Sequence, residues 1–152
     1  MVTAEQIKKL REKTGAGIID CRRALQESDG DEKKAQALLQ SWGIEKAAKK
    51  EDRETKQGGI ASYIHANGTV GAMIELFCET DFVARTDDFK NLAHEICMQV
   101  AAMNPTNAQE LEKQPYIRDN KLTILDLIKK TIAKVGENIK IGRITRFAIN
   151  DK

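Results

Sequence analysis

The sequence predicts an α+β fold in which a bundle of three helices precedes a small antiparallel sheet packed with two helices. Residues 3–42 place apolar side chains at helical spacing in three short runs that are separated by glycine-containing breaks. From Gly59 onward the pattern changes to the alternation that is typical of strands, with Asn67-Gly68 between the first two runs. A helical bundle followed by a hairpin, whose strands pair antiparallel, favours an α+β fold.

Three helices are predicted in the first part of the chain. Thr3 caps the first helix, and Gln6 three residues later completes a capping box. Gly15 ends this helix, since glycine accepts the positive φ of a tight turn. The second helix covers residues 18–27, and Asp31 caps the third.

Residues 44–57 are rich in lysine, glutamate and alanine, and Ile44 is their only large apolar residue. This composition predicts a partly helical, solvated linker. The chain is accordingly divided into a helical bundle at 1–43, a charged linker at 44–57 and an α+β core at 58–152.

The second half of the chain supplies the sheet. Residues 60–65 and 70–77 read as a hairpin joined by a two-residue Asn-Gly turn. The alternating tail at 139–149 is predicted to pair with the hairpin, because a terminal strand needs a partner. The sheet would then have about three strands. Helices are predicted over 86–103, with Thr86 as cap, and from about 123 to 135.

Composition limits the classes of function. Charged residues make up 32% of the 152 residues but nearly cancel, leaving a net charge of +2. Proteins that bind nucleic acid by neutralising phosphates usually have a larger basic excess, so no nucleic acid is expected as a partner. Three cysteines without paired spacing are typical of free thiols in a reducing compartment. The start resembles no secretory signal and no apolar run could span a bilayer, so a cytoplasmic protein without membrane contact is expected.

No catalytic or cofactor-binding motif is apparent. His94 and Cys97 are three positions apart and share a face of the predicted helix, but a structural zinc site needs four ligands, and His65 and Cys78 would have to supply the other two from the sheet. The glycine-containing segment 14–17 follows a predicted helix and lacks the lysine of a phosphate-binding loop. We therefore expect a protein that is not an enzyme, has no cofactor or metal and does not bind a nucleotide directly.

The segment with the most information is the connection between the apolar strand 70–77 and the helix that starts near Thr86. It places a carboxylate, Asp81, beside an aromatic ring, Phe82, where side chains can project from a rigid scaffold. Residue types alone favour a turn aspartate followed by a phenylalanine that anchors the core. The alternative is an exposed pair that contacts a partner.

The Thr-Asp-Phe-Val-Ala string at 80–84 resembles the signature of the elongation factor Ts family. Residues 10–25 resemble the opening helix-loop-helix of that family, which forms a ubiquitin-associated-like bundle. Residues 47–50 and 132–139 resemble its connector and its C-terminal motif. The four matches occur in order over nearly the whole chain. Members of this family are guanine nucleotide exchange factors for the GTPase elongation factor Tu.

The resemblance implies two groups of partner-binding residues. In the first, Thr80, Asp81, Phe82 and Val83 form the segment that displaces magnesium in elongation factor Tu, with Asp81 and Phe82 in contact with the GTPase domain. In the second, Arg11, Ile18 and Ile19 match positions that contact another face of that domain. The family commonly has methionine at the positions of Ile18 and Ile19, so the apolar character is kept. Short members of the family also imply a homodimer.

The chain departs from the family pattern after the predicted helix 86–103, because only residues 104–113 separate it from the Gln-Pro-Tyr string at 114–116.

Two other interpretations of the chain remain. One is a ubiquitin-associated-type protein-binding module on an unrelated scaffold. The other is a ribosome- or RNA-associated protein that uses the basic residues Lys46, Lys49, Lys50, Arg143 and Arg146.

Overall fold

The computed structural model describes residues 1–150. The elements in chain order are α1 (Ala4–Thr14), α2 (Ile18–Glu27), α3 (Glu32–Lys50), β1 (Gln57–Ile64), β2 (Val70–Cys78), α4 (Asp81–Ala84), α5 (Asp87–Met103), α6 (Ala108–Lys113), β3 (Pro115–Tyr116), β4 (Asp119–Thr123), α7 (Ile124–Val135) and β5 (Ile139–Ala148). The larger sheet is antiparallel, with the order β1-β2-β5. The predicted α+β fold is confirmed. Within the described part of the chain, no helix has both the length and the apolar character needed to cross a membrane.

The bundle forms where the caps predict it. Thr3 and Gln6 make the reciprocal hydrogen bonds of a capping box at the start of α1, and Asp31 accepts from the Lys34 amide at the start of α3. Gly15 ends α1 with a φ of 70°. The three helices enclose a small core of Leu10, Cys21, Ala24, Leu25 and Ala35.

Helix α3 is longer than the sequence pattern indicates, because it continues through residues 44–50 of the predicted linker. Ala47, in this extension, is buried in the core of the second half of the chain. A Cβ atom at Gly43 would lie 3.1 Å from the Cβ of Ala133, so this glycine lets α3 approach α7 closely. Helix α3 therefore contributes to both cores, and the three-part division of the chain stays a prediction.

The β1–β2 hairpin forms as predicted, but its two-residue Asn-Gly turn is wrong. The strands stop at Ile64 and Val70, and the His65 amide donates to the carbonyl of Val70 over 2.8 Å. The side chain of Asn67 accepts from the Thr69 amide over 3.2 Å. This local hydrogen bond stabilises a longer connection than the strand pattern alone suggests.

One face of the three-stranded sheet packs on α5. Ile74 and Leu76 of β2 lie on this face and share a core with Phe89, Ile96 and Val100 of α5. The opposite face, which we call the outer sheet face, carries side chains that no described element covers: Ile60, Ile64, Met73 and Phe147 are exposed, and Phe77 is half-buried. At its centre the Arg143 guanidinium donates to both carboxylate oxygens of Glu75, over 2.7 and 3.2 Å. A sheet face that exposes several large apolar side chains around an ion pair is typical of an interaction surface.

Residues 104–123, which follow α5, form α6 and the small β3–β4 hairpin, neither of which was predicted. Leu111 of α6 is fully buried in the second core. Gln99, also fully buried, donates to the carbonyl of Pro115 over 3.0 Å and accepts from the Ile117 amide over 3.0 Å. The amide of one side chain thus holds the hairpin against α5.

The three cysteines are free and buried. The Cys97 thiol donates to the carbonyl of Ala72 over 3.3 Å, beneath the sheet. Burial raises the pKa of Cys97 from 9.0 to about 11, because the charged thiolate is poorly solvated there.

Raising the pH from about 9 to about 11 should therefore lower the stability of the native chain through Cys97. In this interval the thiol is ionised in the unfolded chain while it remains protonated in the folded one. The free energy of unfolding should fall by up to about 1.4 kcal/mol per pH unit from this group. Denaturant unfolding of the wild-type chain and of Cys97→Ala at several pH values checks this, since the variant should lack the added slope. Equal slopes would contradict the prediction.

Candidate functional site at the strand-to-helix corner

The segment between β2 and α5 is a short helix held between two caps. Thr80 caps the four-residue helix α4, with its hydroxyl accepting from the Val83 amide over 3.4 Å. Thr86 caps α5 by accepting from the Phe89 amide over 3.2 Å, and its hydroxyl also donates to the carbonyl of Val83 over 2.7 Å. Two caps six residues apart leave the corner little conformational freedom.

The corner exposes two of its four predicted site residues. Phe82 is 77% exposed, so the alternative in which it anchors the core is wrong. Asp81 is also exposed, and its carboxylate accepts from the Arg85 guanidinium over 3.0 Å. Val83 is buried and Thr80 is half-buried. The corner therefore presents an aromatic ring and a carboxylate to solvent, while the residues on either side fix them to the core.

Thr80 is held from a distant part of the chain. Its amide donates to Oε1 of Glu137 over 2.9 Å, and its hydroxyl donates to Oε2 over 2.7 Å. The Cys78 thiol donates to the carbonyl of Thr80 over 3.1 Å. Burial, and next the nearby Glu137 carboxylate, raise the pKa of Cys78, which favours the protonated donor. Glu137 was not predicted as a site residue.

The second predicted group lies on the bundle. Arg11 is exposed on α1, and Ile18 and Ile19 occupy the first two positions of α2. Ile18 is 56% exposed and Ile19 is 82% exposed. Ile18 lines a groove between α1 and α2 together with Val2 and Ile7. Two adjacent exposed isoleucines at a helix start are unusual unless a partner covers them.

The loop between α1 and α2 is used for packing. The side chain of Lys134 lies against Gly15, where a Cβ would come within 2.7 Å of its Cε atom. The Lys134 ammonium then reaches the carboxylate of Asp88 over 2.9 Å.

Among residues 1–150, no group of three or more histidine, cysteine, aspartate or glutamate side chains is placed to hold a metal ion.

Comparison with known proteins gives one consistent family. A family model described as Elongation factor TS matches residues 79–152. A relative named Elongation factor Ts from Oleidesulfovibrio alaskensis is 43% identical, with 97% of this chain and 98% of the relative aligned. Relatives of the same name from Fervidobacterium nodosum and Thermotoga neapolitana are each 40% identical, with 99% of this chain and at least 98% of each relative aligned.

These relatives are longer than the chain. The alignment with the Oleidesulfovibrio alaskensis protein has 193 positions, which exceeds the 152 residues of the chain by 41. The relative therefore has residues without a counterpart in this chain.

Proposed function

The chain belongs to the elongation factor Ts family of translation elongation factors, and from that premise we propose that it promotes the release of GDP from elongation factor Tu. The observation that carries the proposal is the exposed Phe82 ring on a corner whose backbone is fixed at both ends. A buried aromatic anchor is a common source of binding energy in protein interfaces.

In this proposal Asp81 and Phe82 contact the GTPase domain of elongation factor Tu, and the ring enters between its helices near the magnesium site. Moving those helices weakens magnesium coordination, and the β-phosphate of GDP loses part of its binding. By linkage, a factor that prefers the nucleotide-free form lowers nucleotide affinity by the same ratio. No covalent step, cofactor or bound nucleotide of the chain itself is needed, so the chain acts as a binding protein and not as an enzyme.

The bundle supplies a second contact in the proposal. Ile18 and Ile19 are exposed apolar residues and Arg11 is an exposed cation on α1, so the bundle suits a mixed apolar and acidic surface. Helix α3 packs on α7, and this joins the bundle to the core that carries the corner. A rigid join lets both contacts form at once, which raises affinity without new interactions at either one.

A second copy of the chain is the proposed partner of the outer sheet face. Exposed Ile64 and Phe147 flank Gly71 on neighbouring strands, and Gly71 has no side chain between them. Met73 and Ile60 extend the apolar area along the sheet. Pairing two such faces about a two-fold axis covers both with the same residues, as is usual in homodimers.

Release of a fluorescent GDP analogue from elongation factor Tu tests the proposal. With excess unlabelled GDP, the release rate should rise with the concentration of the chain and then saturate. The rate without the chain is the baseline. Binding to elongation factor Tu with an unchanged release rate would contradict the exchange function and leave a protein-binding module. Binding to ribosomes or RNA with no effect on elongation factor Tu would favour the remaining alternative.

A further inference from the structure

We infer that Glu137 is a positioning residue for nucleotide exchange, which fixes the Thr80 corner and through it the direction of Phe82. The inference rests on the proposed function, because it assigns Glu137 a part in that same site. Glu137 is separated from Thr80 by 57 positions along the chain, yet each of its carboxylate oxygens accepts a hydrogen bond from Thr80.

Phe82 needs such support because its own side chain has little contact with the rest of the chain. With 77% of the residue exposed, its direction follows from the backbone of α4. Helix α4 has four residues, too few to be stable without external hydrogen bonds. Glu137 supplies an acceptor to the cap residue itself, at both its amide and its hydroxyl.

Glu137 is itself held firmly. Gly136 ends α7 with a φ of 79°, and β5 begins at Ile139, which pairs with Cys78. Only Glu137 and Asn138 lie between the capped helix and the paired strand. The backbone of Glu137 is thus fixed on both sides. It lies two residues before Ile139, and the partner of Ile139, Cys78, lies two residues before Thr80.

Asn138 ties the same segment to the end of α3. Its side chain is buried, and its amide nitrogen donates to the carbonyls of Glu51 and Arg53 over 3.2 and 2.8 Å. Its backbone amide donates to the Glu79 carboxylate over 2.8 Å, and Arg53 pairs with that carboxylate over 3.6 Å. Residues 137 and 138 therefore attach both the corner and the end of the bundle's last helix to one point.

Without the Glu137 carboxylate, Thr80 keeps its cap on α4 and its bond from Cys78 but loses both bonds to the segment after α7, so part of the order of the corner must be gained at the moment of binding. Ordering backbone on association lowers affinity, whereas a preorganised segment avoids that cost. We expect loss of Glu137 to lower the rate of GDP release from elongation factor Tu, although Glu137 itself makes no contact with elongation factor Tu in this proposal. The effect should also depend on Phe82, since Phe82 is what Glu137 holds in place.

A double-mutant cycle with Phe82→Ala tests this dependence. Glu137→Ala in the full-length chain should lower the stimulated GDP-release rate at limiting concentration by about tenfold. In the Phe82→Ala background the same change should have almost no further effect. Glu137→Gln keeps an acceptor for the Thr80 amide and should recover most of the rate. Amide hydrogen exchange at Thr80 should become faster in Glu137→Ala.

Glu95→Ala is the matched control. Glu95 also accepts two hydrogen bonds, from the Tyr116 hydroxyl over 2.7 Å and from Arg118 over 2.8 Å, but it holds the β3–β4 hairpin. This variant removes a similar set of interactions without touching the corner, so stimulated release and exchange at the Thr80 amide should match the wild type.

The outcomes separate the two proposals. If Phe82→Ala releases GDP at the wild-type rate, the proposed function fails. If Phe82→Ala is slow but Glu137→Ala is as fast as the wild type, or is equally harmful in both backgrounds, the positioning role is overturned. Should Glu137→Ala fail to fold, Glu137→Asp is carried through the same cycle, because its shorter side chain keeps the charge but withdraws the carboxylate from the two Thr80 donors. A wild-type rate for Glu137→Asp, or an equal loss in the two backgrounds, again overturns the inference.

Discussion

Phe82→Ala is expected to slow the GDP release that the chain stimulates by at least about tenfold, the scale of a lost aromatic anchor. The ring is exposed in the free chain, so its removal should create no cavity and leave thermal unfolding nearly unchanged. Val83, its buried neighbour, is untouched by the change. Release of labelled GDP, measured over a range of chain concentrations beside a thermal melt, checks both parts.

Ile117→Ala serves as the control for Phe82→Ala. Ile117 is an exposed apolar residue between β3 and β4, remote in sequence from the corner, and its loss should leave the release rate unchanged. A normal rate for Phe82→Ala would show that the ring does not act on elongation factor Tu. A large fall in its melting temperature would show that the ring is needed for folding instead.

Phe147→Asp is expected to turn a homodimer into single chains. In the proposed two-fold pairing a carboxylate at this position would be buried against an apolar surface without a partner. We expect the dissociation constant to rise by at least about a hundredfold, as for loss of a central anchor. Because Phe147 is 78% exposed in one chain, the fold itself should persist. Light scattering at micromolar concentration gives the mass directly.

Ile117→Asp is the companion variant for this test, because it adds the same charge to an exposed apolar residue outside the outer sheet face. It should keep the mass of two chains. Because the three cysteines are free and buried, no disulfide is expected to join the two chains. Both measurements are made with reductant present, and the dimer should survive it. A wild-type mass of one chain would contradict the dimer.

The parts of the fold that depend on local interactions could be predicted from the sequence. Thr3, Asp31 and Thr86 all cap helices where the pattern places them, since a cap involves residues only three positions apart. The extension of α3 could not be predicted in this way. Ala47 is buried only because α7 and the second core lie against it, which is a tertiary contact.

In the candidate site too, the features that depend on local sequence could be predicted and those that depend on tertiary contacts could not. The strand-to-helix corner followed from the change in pattern at residues 78–86, but residue types alone placed Phe82 in the core. Its exposure depends on which side of α4 meets the sheet. Glu137 belongs to a string that resembles the family, yet nothing near it in sequence indicates Thr80 as its partner. A contact between distant segments produces no periodic pattern in the sequence near either residue, so it could not be predicted from such a pattern.

The passage of α3 through both cores has a consequence for the lengths that this helix can have. Trp42 packs against the first core and Ala47 lies in the second, so the helix between them sets their relative angle. One inserted residue would rotate the bundle about the helix axis by about 100° and move it by about 1.5 Å. The direction of Ile18 and Ile19 relative to Phe82 would then change. Insertions and deletions within α3 are therefore compatible with both contacts only near whole turns, in steps of roughly 3.6 residues.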